Sequence, residues 1–256
     1  MTTTHPVIFA GAGPGDPDLI TVKASKALIK ADTVIYAGSL VPRAVLKWTK
    51  KGAVLLNSAS MHLEEIVEEM EKAYKNSMRV VRLHTGDPSL YGAIFEQMAK
   101  LNEKKIPYQV IPGVTAAFAA AAAMGIEYTL PEVSQTLILT RIAGKTPVPE
   151  KESLKLLAKH QTSMAIYLSI AHIENMADIL IDSYGKDATC AVVYRVSWPE
   201  EKIVYTKLSE LKHVVKKENI TRQALIIVGK VLDVSVDMLQ YKSKLYDKNF
   251  SHGFRT

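Results

Sequence analysis

Three glycine- and proline-rich loops contain the residues of this sequence that are best suited to bind a ligand. They are GAGPGDP at residues 11–17, HTGDPSLYG at 84–92 and PGVTA at 112–116. Each loop follows a short apolar run of the kind that forms a buried strand. In open parallel sheets, ligands bind beyond the carboxyl ends of the strands. We therefore expect the three loops to form one binding site.

The first loop matches a dinucleotide-binding loop only in part. Gly11 and Gly13 fit the start of the G-x-G-x-x-G pattern, but Asp16 occupies the sixth position. Pro14 lacks the N–H group that a pyrophosphate would need there. The next strand ends at residue 37 without an acidic residue to bind a ribose hydroxyl. These features disfavour a nicotinamide oxidoreductase, and the missing P-loop lysine disfavours ATP chemistry.

The second loop suits a ligand that approaches the backbone closely. Gly86 removes side-chain bulk, Asp87 can accept hydrogen bonds and Pro88 stiffens the turn. A cofactor with an amino group, a carboxylate, a ribose and an adenine fits such a loop. Asp87 could instead form only a turn before a helix, and Thr115 in the third loop could simply begin one.

Strand and helix patterns alternate through the first half of the chain. Predicted strands are 7–10, 33–37, 54–56, 79–83 and 108–111, and predicted helices are 21–31, 43–48, 63–76, 94–101 and 114–124. Five strand–helix repeats predict a mostly parallel sheet with helices on both faces. The uniformly apolar strands indicate that both faces of this sheet are covered.

The second half predicts another α/β domain with a mixed sheet. Strands are expected near 135–141, 163–168, 189–194, 203–207 and 223–228, and helices near 153–159, 172–183 and 208–217. The short connection between the third and fourth of these strands predicts an antiparallel hairpin. Gly125 and Pro131 interrupt the pattern, so we expect two α/β domains, 1–128 and 129–256.

The composition argues against several kinds of metal site and partner. The one cysteine, Cys190, lies in an apolar run and is expected to be a buried thiol. The histidines lack metal-ligand spacing, so no protein-bound metal is expected. The net charge of +6 is scattered and lacks interleaved aromatic residues, which argues against a nucleic-acid partner. No apolar run approaches the roughly 20 residues of a membrane span, and no signal peptide is visible, so we expect a cytoplasmic protein.

The loop motifs resemble those of the tetrapyrrole (corrin/porphyrin) methylase family. GAGPGDP at 11–17, GDP-x-x-YG at 86–92 and PGVTA at 112–116 are similar in order and spacing. LPEVSQT at 130–136, TPVPE at 146–150 and FSHGFR at 250–255 resemble the precorrin-4 C11-methyltransferase subfamily of the vitamin B12 pathway. The resemblance extends over essentially the whole chain.

This resemblance implies a homodimeric enzyme that transfers a methyl group from S-adenosylmethionine and releases S-adenosylhomocysteine. Its substrate would be precorrin-4 or, as we favour, cobalt-precorrin-4. The fold implied is two α/β domains with the cofactor in the cleft between them. The N-terminal domain would supply the glycine-rich loops and the macrocycle trough, and the C-terminal domain would complete the cofactor site.

Position by position, the resemblance assigns cofactor-binding residues in both predicted domains. In the second domain, Arg195 is an alternative to Tyr194, and Gln223 belongs to the same region as Ala224. The assigned residues are Pro14, Thr85, Gly86, Asp87, Leu90, Thr115, Ala116, Leu168, Tyr194 and Ala224.

A sulfonium methyl donor and a nucleophilic ring carbon need positioning and exclusion of water more than acid–base catalysis. The sequence accordingly identifies no catalytic base. The substrate carries many carboxylates, for which Arg141 is the first candidate because arginine can bind a carboxylate in bidentate fashion. Tyr91 could face either the cofactor or the macrocycle. Further cationic candidates are His84, Arg43, Lys145 and Arg195.

Two other functions remain open from the sequence. A methyltransferase of the same fold could act at another precorrin position or on ribosomal RNA, although RNA would favour a denser basic surface. A non-enzymatic corrinoid-binding protein would need no adenosyl pocket, so failure to bind S-adenosylhomocysteine would favour it.

Overall fold

The computed structural model describes residues 5–238, 241–243, 247, 249–251 and 253. They form two compact units, Met1–Ala119 with Val196–Pro199, and Ala120–Arg195 with Glu200–Thr256. The chain changes unit inside the alanine-rich helix Ala116–Met124. The boundary suggested by the sequence lies later, at residue 128, because the apolar pattern loosens only after this helix. His252 and Arg255 of the FSHGFR tail lie outside the described residues.

The first unit contains a five-stranded parallel sheet with strand order β3-β2-β4-β1-β5. Its strands are β1 Val7–Gly11, β2 Thr33–Tyr36, β3 Val54–Asn57, β4 Val80–His84 and β5 Tyr108–Ile111. Its helices are α1 Val22–Lys30, α2 Leu63–Lys75, α3 Ile94–Glu103 and α4 Ala116–Met124, and Arg43–Trp48 forms a 3-10 helix. The five predicted strand–helix repeats are confirmed.

Two apolar clusters sandwich this sheet. One includes Leu28 of α1 with Val34 and Leu83, and the other includes Met70 of α2 with Phe9. Helices lie on both faces of this sheet, as predicted, and its central strands are buried, whereas its two edge strands are partly exposed. Residues of β3 and β5 such as Val54 and Tyr108 are exposed, because an edge strand has a neighbour on one side only.

The second unit contains a mixed five-stranded sheet with strand order β6-β7-β10-β8-β9. Strands β6 and β7 are parallel, whereas β10 runs antiparallel to both β7 and β8. The predicted hairpin is confirmed as β8 and β9. The strands are β6 Leu137–Arg141, β7 Ser163–Tyr167, β8 Thr189–Tyr194, β9 Lys202–Lys207 and β10 Ala224–Val228, and the helices are α5 Leu154–Ala158, α6 Ile173–Tyr184 and α7 Leu211–Lys217.

The core of the second unit lies between its sheet and α5, α6 and α7, with Ile166, Met176 and Leu211 at its centre. Cys190 lies in β8 and is fully buried, as predicted. Burial raises the pKa of its thiol to about 12, so it is protonated at neutral pH. Among the described residues, none of the helices combines the length and apolarity needed to cross a membrane.

Candidate functional site

The three glycine-rich loops converge at the carboxyl edge of the parallel sheet. A Cβ atom on Gly113 would lie 2.1 Å from the carbonyl oxygen of Gly86 and 2.8 Å from the Cα of Gly11. A Cβ atom on Gly11 would lie 2.5 Å from the same oxygen. Only glycine permits backbones to approach so closely. The predicted gathering of the three loops is therefore present within the first unit.

Backbone hydrogen bonds hold the first loop against the second. Gly13 and Gly86 form an isolated antiparallel bridge, in which Gly86 N donates to Gly13 O at 2.8 Å. Ala12 N donates to His84 O at 2.7 Å. Thr21, the N-cap residue of α1, holds the third loop, because its hydroxyl donates to the carbonyl oxygen of Pro112 at 3.2 Å. The loops thus form one fixed surface.

Asp87 connects the second loop to the third. Its Oδ1 accepts hydrogen bonds from the backbone and hydroxyl of Ser89, and its Oδ2 accepts one from Gly113 N at 2.8 Å. Partial burial acts to raise the pKa of Asp87, but these hydrogen bonds outweigh it and lower the pKa below its ordinary value. The carboxylate is therefore ionised at neutral pH, and it shapes the site by fixing two loops.

The other predicted residues of these loops lie close to Asp87. Leu90 N closes a turn by donating to Asp87 O at 3.2 Å. Thr115 is buried at the start of α4, and its Cα lies 3.7 Å from the position of a Cβ on Gly86. Thr85 and Ala116 are half-buried beside them. The structure thus groups Thr85, Gly86, Asp87, Leu90, Thr115 and Ala116.

Backbone strain marks the end of the second loop. Tyr91 has a φ of 56° and Ala93 a φ of 48°, in the left-handed region that non-glycine residues rarely adopt. A Cβ on Gly92 would lie 2.1 Å from Pro88 O. Such strain is concentrated at ligand-binding segments. Tyr91 remains 42% exposed, so its ring is accessible to a ligand.

The geometry of the first loop agrees with the rejection of a dinucleotide site. Pro14 is buried and its carbonyl oxygen accepts a hydrogen bond from an indole. The Asp16 carboxylate accepts from Asp18 N at 2.8 Å and so caps the 3-10 turn Pro17–Leu19. The backbone of this loop is directed into the protein at these positions, whereas a pyrophosphate-binding loop presents its N–H groups to the ligand.

Within the second unit, the predicted cofactor residues form a row at one end of the sheet. Ala224 of β10 pairs with Tyr194 of β8. On the other side of β10, Ile226 pairs with Ile166 of β7. When this antiparallel register is continued by two residues, Leu168 lies opposite Ala224, on the side away from Tyr194. Leu168 is 64% exposed and has a φ of 52°. This row offers an apolar surface at the strand ends.

Arg141, the first candidate for a substrate carboxylate, ends β6 in the same sheet. Its Nη1 donates to the carbonyl oxygens of Ile142 and Thr146, and its Nη2 to Pro147 O at 2.7 Å. These three bonds fix the guanidinium against the following loop. Arginine has five N–H donors, so two remain for a further acceptor.

The other cationic candidates have different surroundings. Arg195 is half-buried, with Nε donating to Gln223 Oε1 at 2.8 Å and Nη1 3.5 Å from Glu200. Its guanidinium also lies over the ring of Tyr194. Arg195 therefore organises the β8–β10 end of the sheet. Arg43 and Lys145 are exposed.

His84 does not present its side chain to a ligand, contrary to the expectation for a trough residue. Its ring is 4% exposed and lies 6.0 Å from that of Phe9. Within the described part of the chain, its Nε2 atom has no hydrogen-bond partner. His84 shares a strand face with Arg82, which donates to Gln97 of α3. His84 lies at the carboxyl end of the central strand β4, beside the second loop, but its side chain points into the protein.

Burial, together with the positive charge of Arg82, lowers the pKa of His84 from 6.5 to about 3. Because the folded-state pKa is below the unfolded value, the unfolded chain binds more protons below pH 6.5. We expect His84 to remove up to about 1.4 kcal/mol of stability per pH unit as the pH falls through this range. Urea unfolding of the wild type and His84→Gln at pH 7.5 and 5 measures this contribution. Equal pH dependence of the two proteins would contradict it.

Sequence reasoning missed three side chains that contact the first loop. Trp48 donates to Pro17 O, Trp198 donates to Pro14 O, and Ser197 Oγ accepts from Asp16 N. Ser197 and Trp198 are far from the loop in sequence, so only the fold brings them to it. A signal was nevertheless present in the sequence, since Trp48 and Trp198 are its only two tryptophans and Trp198 lies in a polar connection between strands.

The sequence matches known methylases along nearly its whole length. Residues 6–212 match the family model of Tetrapyrrole (Corrin/Porphyrin) Methylases. A cobalt-precorrin-4 C(11)-methyltransferase of Methanocaldococcus jannaschii is 52% identical, with 100% of this chain and 98% of that protein covered. A precorrin-4 C(11)-methyltransferase of Pseudomonas aeruginosa is 50% identical, with 88% of this chain and 90% of that protein covered.

Solved structures agree with these matches. The X-ray structure of a cobalt precorrin-4 methyltransferase, a cobalamin biosynthetic enzyme, has a TM-score of 0.86 and 46% identity, and covers 89% of this chain and 96% of its own. A uroporphyrin-III C-methyl transferase of Thermus thermophilus, solved with S-adenosylhomocysteine, has a TM-score of 0.73 and 26% identity, covering 89% and 93%. The chain therefore belongs to the tetrapyrrole methylase family and is a methyltransferase.

Proposed function

We propose that this enzyme uses S-adenosylmethionine to methylate C11 of cobalt-precorrin-4 in cobalamin biosynthesis. The observation that carries the proposal is the end-to-end similarity to relatives named for this reaction, from Methanocaldococcus jannaschii and Priestia megaterium. The similar Pseudomonas protein is named a precorrin-4 C(11)-methyltransferase, without cobalt in the name. The cobalt form is favoured by the Methanocaldococcus protein, which is 52% identical over 100% of this chain.

The residues at the loop edge fit S-adenosylmethionine, which supplies an activated methyl group on a sulfonium. The backbone surface formed by Gly86, Asp87 and Thr115 suits the polar amino-acid and ribose groups, and its glycines admit close approach. In the second unit, exposed Leu168 beside Ala224 suits a flat adenine ring. We propose that each of these sets of residues contributes to binding S-adenosylmethionine.

The protein's part in the reaction is to orient the reactants and exclude water. The loops are held by hydrogen bonds that the Asp87 carboxylate accepts and by the Gly13–Gly86 bridge, so little ordering remains to be done on binding. Methyl transfer to a nucleophilic carbon disperses charge, and a fixed surface that aligns donor and acceptor lowers its barrier. We assign no residue as a base for the proton that leaves afterwards.

We assign Arg141 to a carboxylate of the macrocycle. Its guanidinium is oriented in advance by Ile142, Thr146 and Pro147, which reduces the entropy lost on binding. A charge-assisted contact of this kind contributes about 1.5–3 kcal/mol.

Arg141→Ala is expected to raise the KM for the macrocycle about tenfold or more, because that contact is lost. The KM for S-adenosylmethionine should change little. Steady-state kinetics with each substrate varied in turn measures both values. Lys155→Ala, which removes an exposed positive charge from α5, is the matched control. A loss confined to cofactor affinity would overturn the assignment.

We also propose that the enzyme is a homodimer, as its family resemblance implies. The exposed apolar side chains of the edge strand β5 and of Phe95 and Phe118, at 80% and 55% exposure, support an interface on the first unit. Light scattering should give twice the chain mass of 28.2 kDa, and the chain mass itself would refute the dimer. The cytoplasmic location stays a prediction.

The substrate is tested by comparing initial rates on cobalt-precorrin-4, metal-free precorrin-4 and ribosomal RNA. We expect the highest rate on cobalt-precorrin-4 and none on RNA. Against RNA, several surface lysines are paired with carboxylates, including Lys104 with Glu71 at 2.7 Å and Lys216 with Glu174 at 2.8 Å. Methylation of RNA alone would refute the proposal, and a higher rate on the metal-free form would refute the cobalt preference.

A further inference from the structure

The only two tryptophans of the chain both hold the first glycine-rich loop. Trp48 Nε1 donates a hydrogen bond to Pro17 O at 2.8 Å, and Trp198 Nε1 donates one to Pro14 O at 3.0 Å. Trp48 ends the 3-10 helix Arg43–Trp48, and Trp198 belongs to the segment Val196–Pro199 of the same unit. The two indoles thus fix both ends of the stretch from Pro14 to Pro17.

The residues between the two prolines are held as well. Asp16 N donates to Ser197 Oγ at 2.9 Å. A Cβ on Gly15 would lie 2.2 Å from Trp198 Cδ1, so the indole packs directly on the backbone of this glycine. Asp16 N and two carbonyl oxygens of this short stretch therefore depend on the side chains of Trp48, Ser197 and Trp198, which we call the indole clamp.

The segment Val196–Pro199, which carries Ser197 and Trp198 of this clamp, is itself strained. Ser197 has a φ of 64° and Arg195, two residues before it, a φ of 45°. Left-handed backbone at non-glycine residues costs free energy and persists where the surrounding structure fixes it. In this segment the Ser197 hydroxyl and the Trp198 N–H group both bond to the first loop. An arrangement of this kind keeps a binding loop in a single conformation.

We infer that Trp48, Ser197 and Trp198 are positioning residues, which hold residues 14–17 in the shape that receives the methyl donor. This inference rests on the proposed function and on the assignment of Pro14 to the cofactor site, which the family resemblance implies. The clamp acts through the loop backbone, because its polar atoms bond to that backbone. It orders the loop before binding, so that cofactor binding loses less entropy.

The first test uses the ligand-free protein and measures hydrogen exchange at the backbone amide of Asp16. Ser197→Ala removes the acceptor of this N–H group, so its exchange should accelerate at least about fivefold, in line with the loss of one hydrogen bond. Trp198→Phe, which keeps an aromatic ring but lacks the N–H group, should accelerate it too. Unchanged exchange in both variants would refute the clamp whatever the enzyme binds.

The second test measures S-adenosylhomocysteine affinity by calorimetry in Trp48→Phe, Ser197→Ala and Trp198→Phe. Each should weaken binding about fivefold, and the KM for S-adenosylmethionine should rise in step while kcat stays within about twofold. Asn76→Ala is the matched control. It removes one hydrogen bond, from the Asn76 side chain to the carbonyl oxygen of Lys72. Asn76 lies between the end of α2 and the start of β4, at the edge of the sheet opposite the glycine-rich loops, so cofactor affinity should be unchanged.

The two tests separate failure of the inference from failure of the proposed function. If the wild type does not bind S-adenosylhomocysteine, the proposed function and the positioning role both fail. If the wild type binds it and all three variants bind equally well, only the positioning role fails. A kcat that falls while both KM and affinity stay constant would also refute the role.

Discussion

Asp87→Ala is expected to weaken S-adenosylhomocysteine binding about 100-fold while the protein stays folded. The carboxylate accepts hydrogen bonds from Ser89 and from Gly113 N, and so joins the second loop to the third. Without it, Gly113 N–H loses an ionised acceptor, and each such bond contributes about 1.5–3 kcal/mol. Calorimetry gives the affinity, and circular dichroism during heating verifies the fold.

Ser89→Ala is the control for this prediction. It removes only the exposed hydroxyl that donates to Asp87 and leaves the bond to Gly113 N in place. Its affinity should fall by no more than about threefold. Equal affinities of the wild type and Asp87→Ala would show that the connection between the two loops does not matter for cofactor binding.

Gly113→Ala is expected to abolish cofactor binding and to lower the free energy of unfolding by about 1–3 kcal/mol or more. Its Cβ would lie 2.1 Å from Gly86 O, so the loops must separate. Separation disrupts the contacts among Gly11, Gly86 and Gly113 that form the edge of the site. Urea unfolding measures the stability, and calorimetry with S-adenosylhomocysteine measures the binding.

Gly125→Ala separates this effect from the general cost of an alanine at a glycine. Gly125 has a φ of 64°, but a Cβ there would meet nothing within 4 Å. The variant should therefore lose about 1 kcal/mol of stability through backbone strain and bind the cofactor normally. If Gly113→Ala binds as well as Gly125→Ala, close approach of the loops is not required.

The sequence was sufficient to predict the sheet and the meeting of the three glycine-rich loops. Apolar runs and loops alternate locally, and the rule that parallel strands end at one edge brings Gly11, Gly86 and Gly113 together. The exposure of the edge strands β3 and β5 could not be predicted from these patterns, since Val54 and Tyr108 have the same apolar character as residues of the central strands. Only strand order decides which strands lie outside.

Side-chain roles were harder to predict than positions. Strand alternation places His84 on the same face as Val80 and Arg82, but both faces of β4 are buried, so alternation alone does not predict that its side chain points into the protein. The partners of Asp87 depend on where the third loop lies. The contacts of Ser197 and Trp198 with residues 14–16 join segments more than 180 residues apart, and no local pattern indicates them.

The measurement that tests the central claim most directly is NMR of the product formed from cobalt-precorrin-4 and S-adenosylmethionine carrying a ¹³C-labelled methyl group. We expect one new labelled methyl carbon, bonded to C11, with mass spectrometry showing the gain of a single methyl group. A labelled methyl at another ring position would contradict the proposed site of methylation. No labelled product, from protein that binds S-adenosylhomocysteine, would contradict the proposed substrate.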